Sequence, residues 1–287
     1  MEINHRLRLK DSKRIVVKVG TSTLTHENGK MNFTRMDRLA MTLSELMNED
    51  KEIILVSSGA IGVGMGKFNL KKRPEGMGMK QALAAIGQCE LMNIYSRLFA
   101  TYNQMVAQIL LTKPDINDEI RRENVLNTFN HLLELGVIPI VNENDTVSVD
   151  EIKSLMMFGD NDTLSAVVTK LVEADLLIIL SDIDGLYDSN PRENKESHLI
   201  SVVETIDDLI RSCAGEAGSR RGTGGMVTKL DAAEIVTNAG ADMVIANGTD
   251  PTIIQRILNG EEVGTLFVRK SLKEPISLKE PMLKEPI

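Results

Sequence analysis

The 287-residue sequence predicts an α/β protein, a three-layer αβα sandwich around a mainly parallel central sheet. Two observations carry that expectation. Short, β-branched apolar runs recur without polar alternation, as strands buried on both faces require. Between them lie segments whose apolar residues repeat at helical spacing, the alternation that yields parallel strands joined by crossover helices.

Taken in order, RIVVKV (14–19) is the first strand and enters Gly20. Met36, Leu39, Ala40, Leu43, Leu46 and Met47 then share one helical face, with Asn32 or Thr34 as the N-cap. EIILVS (52–57) is a second strand running into Ser58-Gly59. A Met- and Ala-rich helix over 77–101 precedes the strand VAQILLT (106–112). Asp118 or a neighbour starts a helix that Gly136 stops after Leu135, before the strand VIPIV (137–141). A polar segment (142–158), a helix over 161–173 and the strand DLLIILS (175–181) follow. Asp184-Gly185 marks a turn, and 188–197 is a polar excursion. A Gly-rich loop (215–225) leads into a helix to about Asn238. The strand ADMVIAN (241–247), a short helix over 251–258 and a strand near 264–268 complete a single domain over 1–270. The tail, SLKEPISLKEPMLKEPI (271–287), repeats Leu-Lys-Glu-Pro; regular proline forbids a helix, and the expectation is a disordered, solvated extension.

Composition excludes several classes. The formal charge is −8 and the aromatic content 3%, with no Trp. The chain lacks a broad basic face for nucleic acid and the aromatics of a base-stacking platform. The N-terminal segment is charged throughout, and the longest apolar run, 174–180, is too short for a bilayer, so no membrane is expected and a cytoplasmic location is. Cys89 and Cys213 lie far apart and read as reduced, mostly buried thiols. His5, His26, His131 and His198 are scattered, without metal-ligand spacing.

Three glycine-bearing segments stand at strand exits: GTS (20–22), SSGAIGVGMG (57–66) and GSRRGTGGMVTK (218–229). None fits the P-loop pattern, and none has the dinucleotide fingerprint directly after the first strand. Such junctions let backbone N–H groups and helix N-termini approach an anion. Lys18 interrupts an apolar strand, and two readings stand for it: a snorkelling edge-strand lysine or an anion contact. Lys229 lies one turn into a helix, where a cation is unfavourable unless an anion is near; a solvated lysine is the other reading. Repeated Asn and Asp in NENDT (142–146) and GDND (159–162) exceed what helix capping needs.

VVKVGTSTLT (16–25), VSSGAIGVGMG (56–66), VNENDTVS (141–148), FGDNDTLSA (158–166), SDIDGLY (181–187) and GTGGMVTKLDAA (222–233), in this order, closely resemble the amino-acid kinase superfamily, and within it the branch that phosphorylates L-glutamate. The resemblance spans roughly 12–268. It implies ATP as cosubstrate, with Mg²⁺ held mainly by the ATP phosphates and no protein metal site. It implies that Lys18 contacts ATP phosphates, that Lys229 stabilises the transferring phosphoryl group, and that Asp162 positions both lysines. Ser58, Asp145 and Asn161 would bind glutamate, Asp145 through the α-ammonium. Ser181, Asp182, Thr223, Gly224, Gly225, Met226, Val227, Thr228 and Lys229 would enclose the nucleotide, although Val227 stands where a smaller or polar residue is expected. A homo-oligomer and proline as a feedback inhibitor are partners the resemblance admits. Longer relatives carry a C-terminal PUA domain, and the expectation here is that none is present. The acceptor carboxylate, with a pKa of about 4.3, is ionised at neutral pH, so the absence of a candidate general base is consistent. Acceptors of neighbouring branches, N-acetylglutamate or aspartate, and a catalytically silent amino-acid sensor are the competing expectations.

Overall fold

The computed structural model describes residues 5–26, 30–70, 72–147, 158–191, 193–214 and 225–270. An eight-stranded sheet runs through its centre. The strands are β1 (Arg14–Val19), β2 (Glu52–Ser57), β3 (Val106–Leu111), β4 (Ile138–Glu143), β5 (Leu176–Ser181), β6 (Val202–Val203), β7 (Asp242–Asn247) and β8 (Thr265–Phe267). Their order is β3-β4-β2-β1-β5-β7-β8-β6, and every pairing is parallel except β7 with β8. From β1 the chain builds outward to β2 on one side and later to β5 on the other, so the connectivity reverses at β1. Ligands in open α/β sheets bind outside the carboxyl ends of strands at such a point.

The helices are α1 (Thr21–Leu24), α2 (Phe33–Asn48), α3 (Ala60–Lys67), α4 (Met77–Thr101), α5 (Lys113–Asn117), α6 (Glu119–Glu134), α7 (Asn161–Leu171), α8 (Asp208–Cys213), α9 (Met226–Asn238) and α10 (Ile253–Leu258). They cover both faces of the sheet, as the unalternating strand sequences require. Ile15, Val17, Leu55 and Ile178 pack with Leu39, Leu43, Leu91 and Tyr95 of α2 and α4 on one side. Val16, Ile54, Val56 and Ile179 pack with Leu164, Val168, Leu230 and Val236 of α7 and α9 on the other. Because side chains alternate along a strand, Lys18 shares the face of Val16 and projects toward α7 and α9. Strand β1 is central and Lys18 is buried, which removes the edge-strand reading.

Expected caps are found. The Asn32 side chain accepts from Arg35 N at 3.0 Å, and Asp118 accepts from Arg121 N at 2.9 Å. Three differences from expectation have physical causes. SSGAIGVGMG is not loop throughout: α3 forms over Ala60–Lys67 despite three glycines, because it packs closely along α4. A side chain at Gly87 would run into the Ala60 carbonyl, so glycine is what lets α3 and α4 meet. Strand β4 extends two residues beyond Val141, since its ladder with β3 continues through Leu110↔Asn142 and Leu111↔Glu143. Cys89 is exposed rather than buried, while Cys213 is half-exposed; both are free thiols. Residues 215–224 of the Gly-rich loop and the 271–287 tail lie outside the described residues. Among the described residues, no helix is long and apolar enough to cross a membrane.

Candidate active site

The site assembles where β1, β2, β4 and β5 end. Helix α7 begins there, with Asp160 as its N-cap: the carboxylate accepts from Asp162 N at 2.8 Å and Thr163 N at 2.9 Å. With capping assigned to Asp160, Asn161 and Asp162 are free to face inward from the first turn. Asp162 is 2% exposed and bridges the two lysines, Lys18 Nζ at 2.7 Å from Oδ1 and Lys229 Nζ at 3.0 Å from Oδ2. Thr228 Oγ1 also donates to Asp162 Oδ2, at 3.2 Å. Desolvation is the largest influence on this carboxyl and pushes it up, but the two lysines and their hydrogen bonds together exceed it, holding Asp162 at about 2. The triad carries two cations against one anion, a net positive charge buried at the sheet's carboxyl edge.

Beside it, Asn161 Nδ2 lies 2.8 Å from Ser57 O, 2.8 Å from Ser58 Oγ and 3.1 Å from Asn142 Oδ1. Gly59, at φ +98°, caps α3 in the left-handed region that glycine tolerates, turning the chain from β2 into the helix and leaving Ser58 at the bend. Two carboxylates stand at the end of β4 and just beyond it, next to Asn142. Glu143 is 8% exposed and accepts from Phe158 N at 2.8 Å, yet burial pushes its carboxyl up to about 7. Asp145 is half-buried and also raised by burial, with Arg73 acting the other way. Burial likewise raises Asp160, against the pull of its capping hydrogen bonds.

Of the sequence-predicted residues, Lys18, Asp162 and Lys229 meet in one cluster, with Ser58 and Asn161 adjoining it. Ser181 ends β5 and donates to Asp182 at 3.3 Å. Gly225 caps α9, whose first turn holds Met226, Val227 and Thr228; Val227 is 49% exposed. Thr223 and Gly224 lie outside the described residues. Gln88 was not among the sequence candidates, and Asn142 and Glu143 were flagged only as part of the NENDT segment. Gln88 does have a signal, a polar residue on the apolar face formed by Ala84, Leu91, Tyr95 and Phe99 of α4. The strand's apparent end at Val141 concealed that Asn142 and Glu143 belong to β4.

A mainly parallel sheet with a lysine pair, an intervening aspartate and glycine-flanked helix starts at its carboxyl edge defines a phosphoryl-transfer site. The amino acid kinase family model matches residues 13–247, and the chain belongs to that family. It is 58% identical to the glutamate 5-kinase of Clostridium perfringens (strain 13 / Type A), over 92% of this chain and 98% of that protein. It is 54% identical to the glutamate 5-kinase of Thermoanaerobacter sp. (strain X514), covering 92% of this chain but 69% of that longer one. Among solved structures, carbamate kinase from Giardia lamblia bound to AMP-PNP superposes with a TM-score of 0.64 at 14% identity, covering 91% of this chain and 100% of that one. An isopentenyl phosphate kinase gives 0.62 at 16% identity, over 89% and 100%. These two share the fold.

Proposed function

We propose that the chain transfers the terminal phosphoryl group of MgATP to the γ-carboxylate of L-glutamate, forming L-glutamyl 5-phosphate, the first step of proline biosynthesis. The observation that carries this reading is the buried Lys18–Asp162–Lys229 triad set beside Ser58 and Asn161, with Asn161 bonded to Asn142 at the end of β4 that also carries Glu143 and leads to Asp145. An acceptor with a carboxylate at one end and an ammonium at the other matches that polarity. The similarity to glutamate 5-kinases supports the same acceptor.

In this mechanism a γ-carboxylate oxygen attacks the terminal phosphorus, the bond to the ADP oxygen breaks, and ADP leaves. The acceptor is already ionised, so no proton has to be removed. Lys18 holds the nucleotide phosphates and Lys229 meets charge that builds on the transferring group. Asp162 keeps the two ammonium groups at fixed positions, so little reorganisation is needed at the moment of reaction. Ser58 and Asn161 orient the acceptor carboxylate, and Asp145 takes the α-ammonium. Ser181, Asp182 and the Thr223–Lys229 segment enclose the nucleotide, and Mg²⁺ bound with it would supply further neutralisation of phosphate charge.

The test is a hydroxylamine-trapping assay with MgATP and a panel of L-glutamate, N-acetylglutamate and L-aspartate. Hydroxamate from L-glutamate in preference to the others supports the reading. Preference for another acceptor reassigns the substrate, and binding without turnover returns the chain to a silent sensor. The same reading takes residues 1–270 as the catalytic domain and 271–287 as a solvated tail, and it places the enzyme in the cytoplasm. Proline as a feedback inhibitor belongs to the same proposal and is checked by adding proline to the assay. The exposed Phe68, Leu70, Met79 and Ile86 support a homo-oligomer, which sedimentation tests.

A further inference from the structure

Gln88 has been given no role so far, yet it is 7% exposed on the buried face of α4. Its amide orientation is forced by a chain of hydrogen bonds. Glu143 N, which can only donate, points at Asn142 Oδ1 at 2.9 Å. Asn142 must therefore present its Nδ2 to the next residue, and Gln88 accepts it through Oε1 at 2.9 Å. What remains is Gln88 Nε2, a buried donor with no acceptor among the described residues. An unmade hydrogen bond at a buried amide is costly, so a partner that arrives with a ligand is its natural complement.

The surroundings say what that ligand group is. Gln88 lines a small recess, with room for one small polar group, together with Ala60, Ala84, Glu143 and Asp145. The close contact of α3 and α4 at Gly87 fixes the amide beside Ala60 at the start of α3. Under the glutamate reading, on which this inference rests, the bound amino acid has three ionic groups. Its γ-carboxylate faces the lysines, and its ammonium faces Glu143 and Asp145. Its α-carboxylate, which can only accept hydrogen bonds, needs a donor in the recess.

We propose that Gln88 is a specificity-determining residue whose Nε2 donates a hydrogen bond to the α-carboxylate of bound L-glutamate. It thereby distinguishes the amino acid from analogues that lack this group. The same Oε1 bond to Asn142, and through it to Asn161, ties recognition of the α-carboxylate to the residues that orient the reacting end.

The test pairs two variants with two ligands. Gln88→Met removes the amide; Gln88→Glu keeps an oxygen to accept from Asn142 but replaces the donor with an acceptor. L-Glutamate is compared with 4-aminobutyrate, the same molecule without its α-carboxylate, as a substrate or competing ligand. The expected result is a rise in KM for L-glutamate of about 10- to 100-fold in both variants, the worth of a hydrogen bond to a charged group. KM for ATP stays unchanged, kcat moves by only a few-fold, and discrimination against 4-aminobutyrate falls by a similar factor. A wild-type KM for L-glutamate in Gln88→Glu, or an equal loss for both ligands, would overturn the inference and leave Gln88 as a support for Asn142. If Gln88→Met does not fold, Gln88→Glu alone decides, since it keeps the size and the Asn142 contact. Wild-type enzyme that makes no hydroxamate from L-glutamate sinks the underlying glutamate reading as well, an outcome visible without either variant.

Discussion

Asp162 and Glu143 are buried carboxylates a short way apart in the same cleft, 2% and 8% exposed, yet they titrate at opposite ends of the scale. Asp162 is held at about 2, whereas Glu143 is pushed up to about 7. Burial opposes the charged form of both. The difference lies in their neighbours: two ammonium groups contact Asp162, while Glu143 has a backbone N–H from Phe158, with Asp145 and Asp160 adding negative charge and Lys113 only partly offsetting it. One side of the cleft is therefore electrostatically complete at rest, and the other gains from a cationic ligand. The proposed function suits this division: the lysines are in place before the phosphates arrive, and the proposed acceptor brings its own ammonium.

The largest effect should come from breaking the complete side. Asp162→Ala leaves two like charges buried together, and breaking a buried pair costs about 3–5 kcal/mol. A thermal melt should drop steeply, and activity should fall with it; an unchanged melting temperature would mean that water already compensates the lysines. Lys229→Ala should be milder in stability, because Lys18 still pairs with Asp162, but should lower kcat by roughly 100-fold or more, as for loss of a transition-state charge stabiliser. An unaltered kcat would return Lys229 to a structural ion pair. On the incomplete side, Asp145→Ala should raise the KM for L-glutamate by about 10-fold with little change in that for ATP, a loss of ground-state binding. A shift confined to ATP would reassign Asp145.

The same contrast explains what was legible in the sequence. Strands buried on both faces announce themselves as apolar runs, so the sheet and the layering could be read directly. Lys18 was conspicuous because it interrupts such a run, and the Asp- and Asn-rich segments because they exceed capping needs. That Asp160 would cap α7 and release Asn161 and Asp162 inward could not be read, since each of the three can cap. Helix α3 was obscured for a similar reason. Glycine disfavours helices by local propensity, and its tolerance here depends on the approach of α4, a contact distant in sequence. Asn142 and Glu143 look like loop because they are polar, yet the β3 ladder keeps them in strand. Their tertiary hydrogen bonds carry no periodic signature, so NENDT stands out as a segment while the placement of its first two residues does not.

The smallest and most diagnostic expectation concerns Glu143 itself. Its folded-state pKa of about 7 lies above the ordinary 4.5, so between these values the folded chain holds a proton that the unfolded chain has released. Stability of the unliganded protein should therefore fall as pH rises from about 4.5 to 7, by up to about 1.4 kcal/mol per pH unit for one proton. Asp162 acts in the opposite sense and in a different window: its contribution is complete above 3.8 and is lost as pH falls toward about 2. Glu143→Gln should flatten the first slope and leave the second, a distinction that melts between pH 2 and 8 can resolve. A bound ammonium favours ionised Glu143, so the wild-type KM for L-glutamate should decrease as pH rises through about 7, with a flatter profile in Glu143→Gln. If the variant kept the wild-type profile, proton release would have to be reassigned to Asp145 or Asp160, the neighbouring carboxyls that burial also raises.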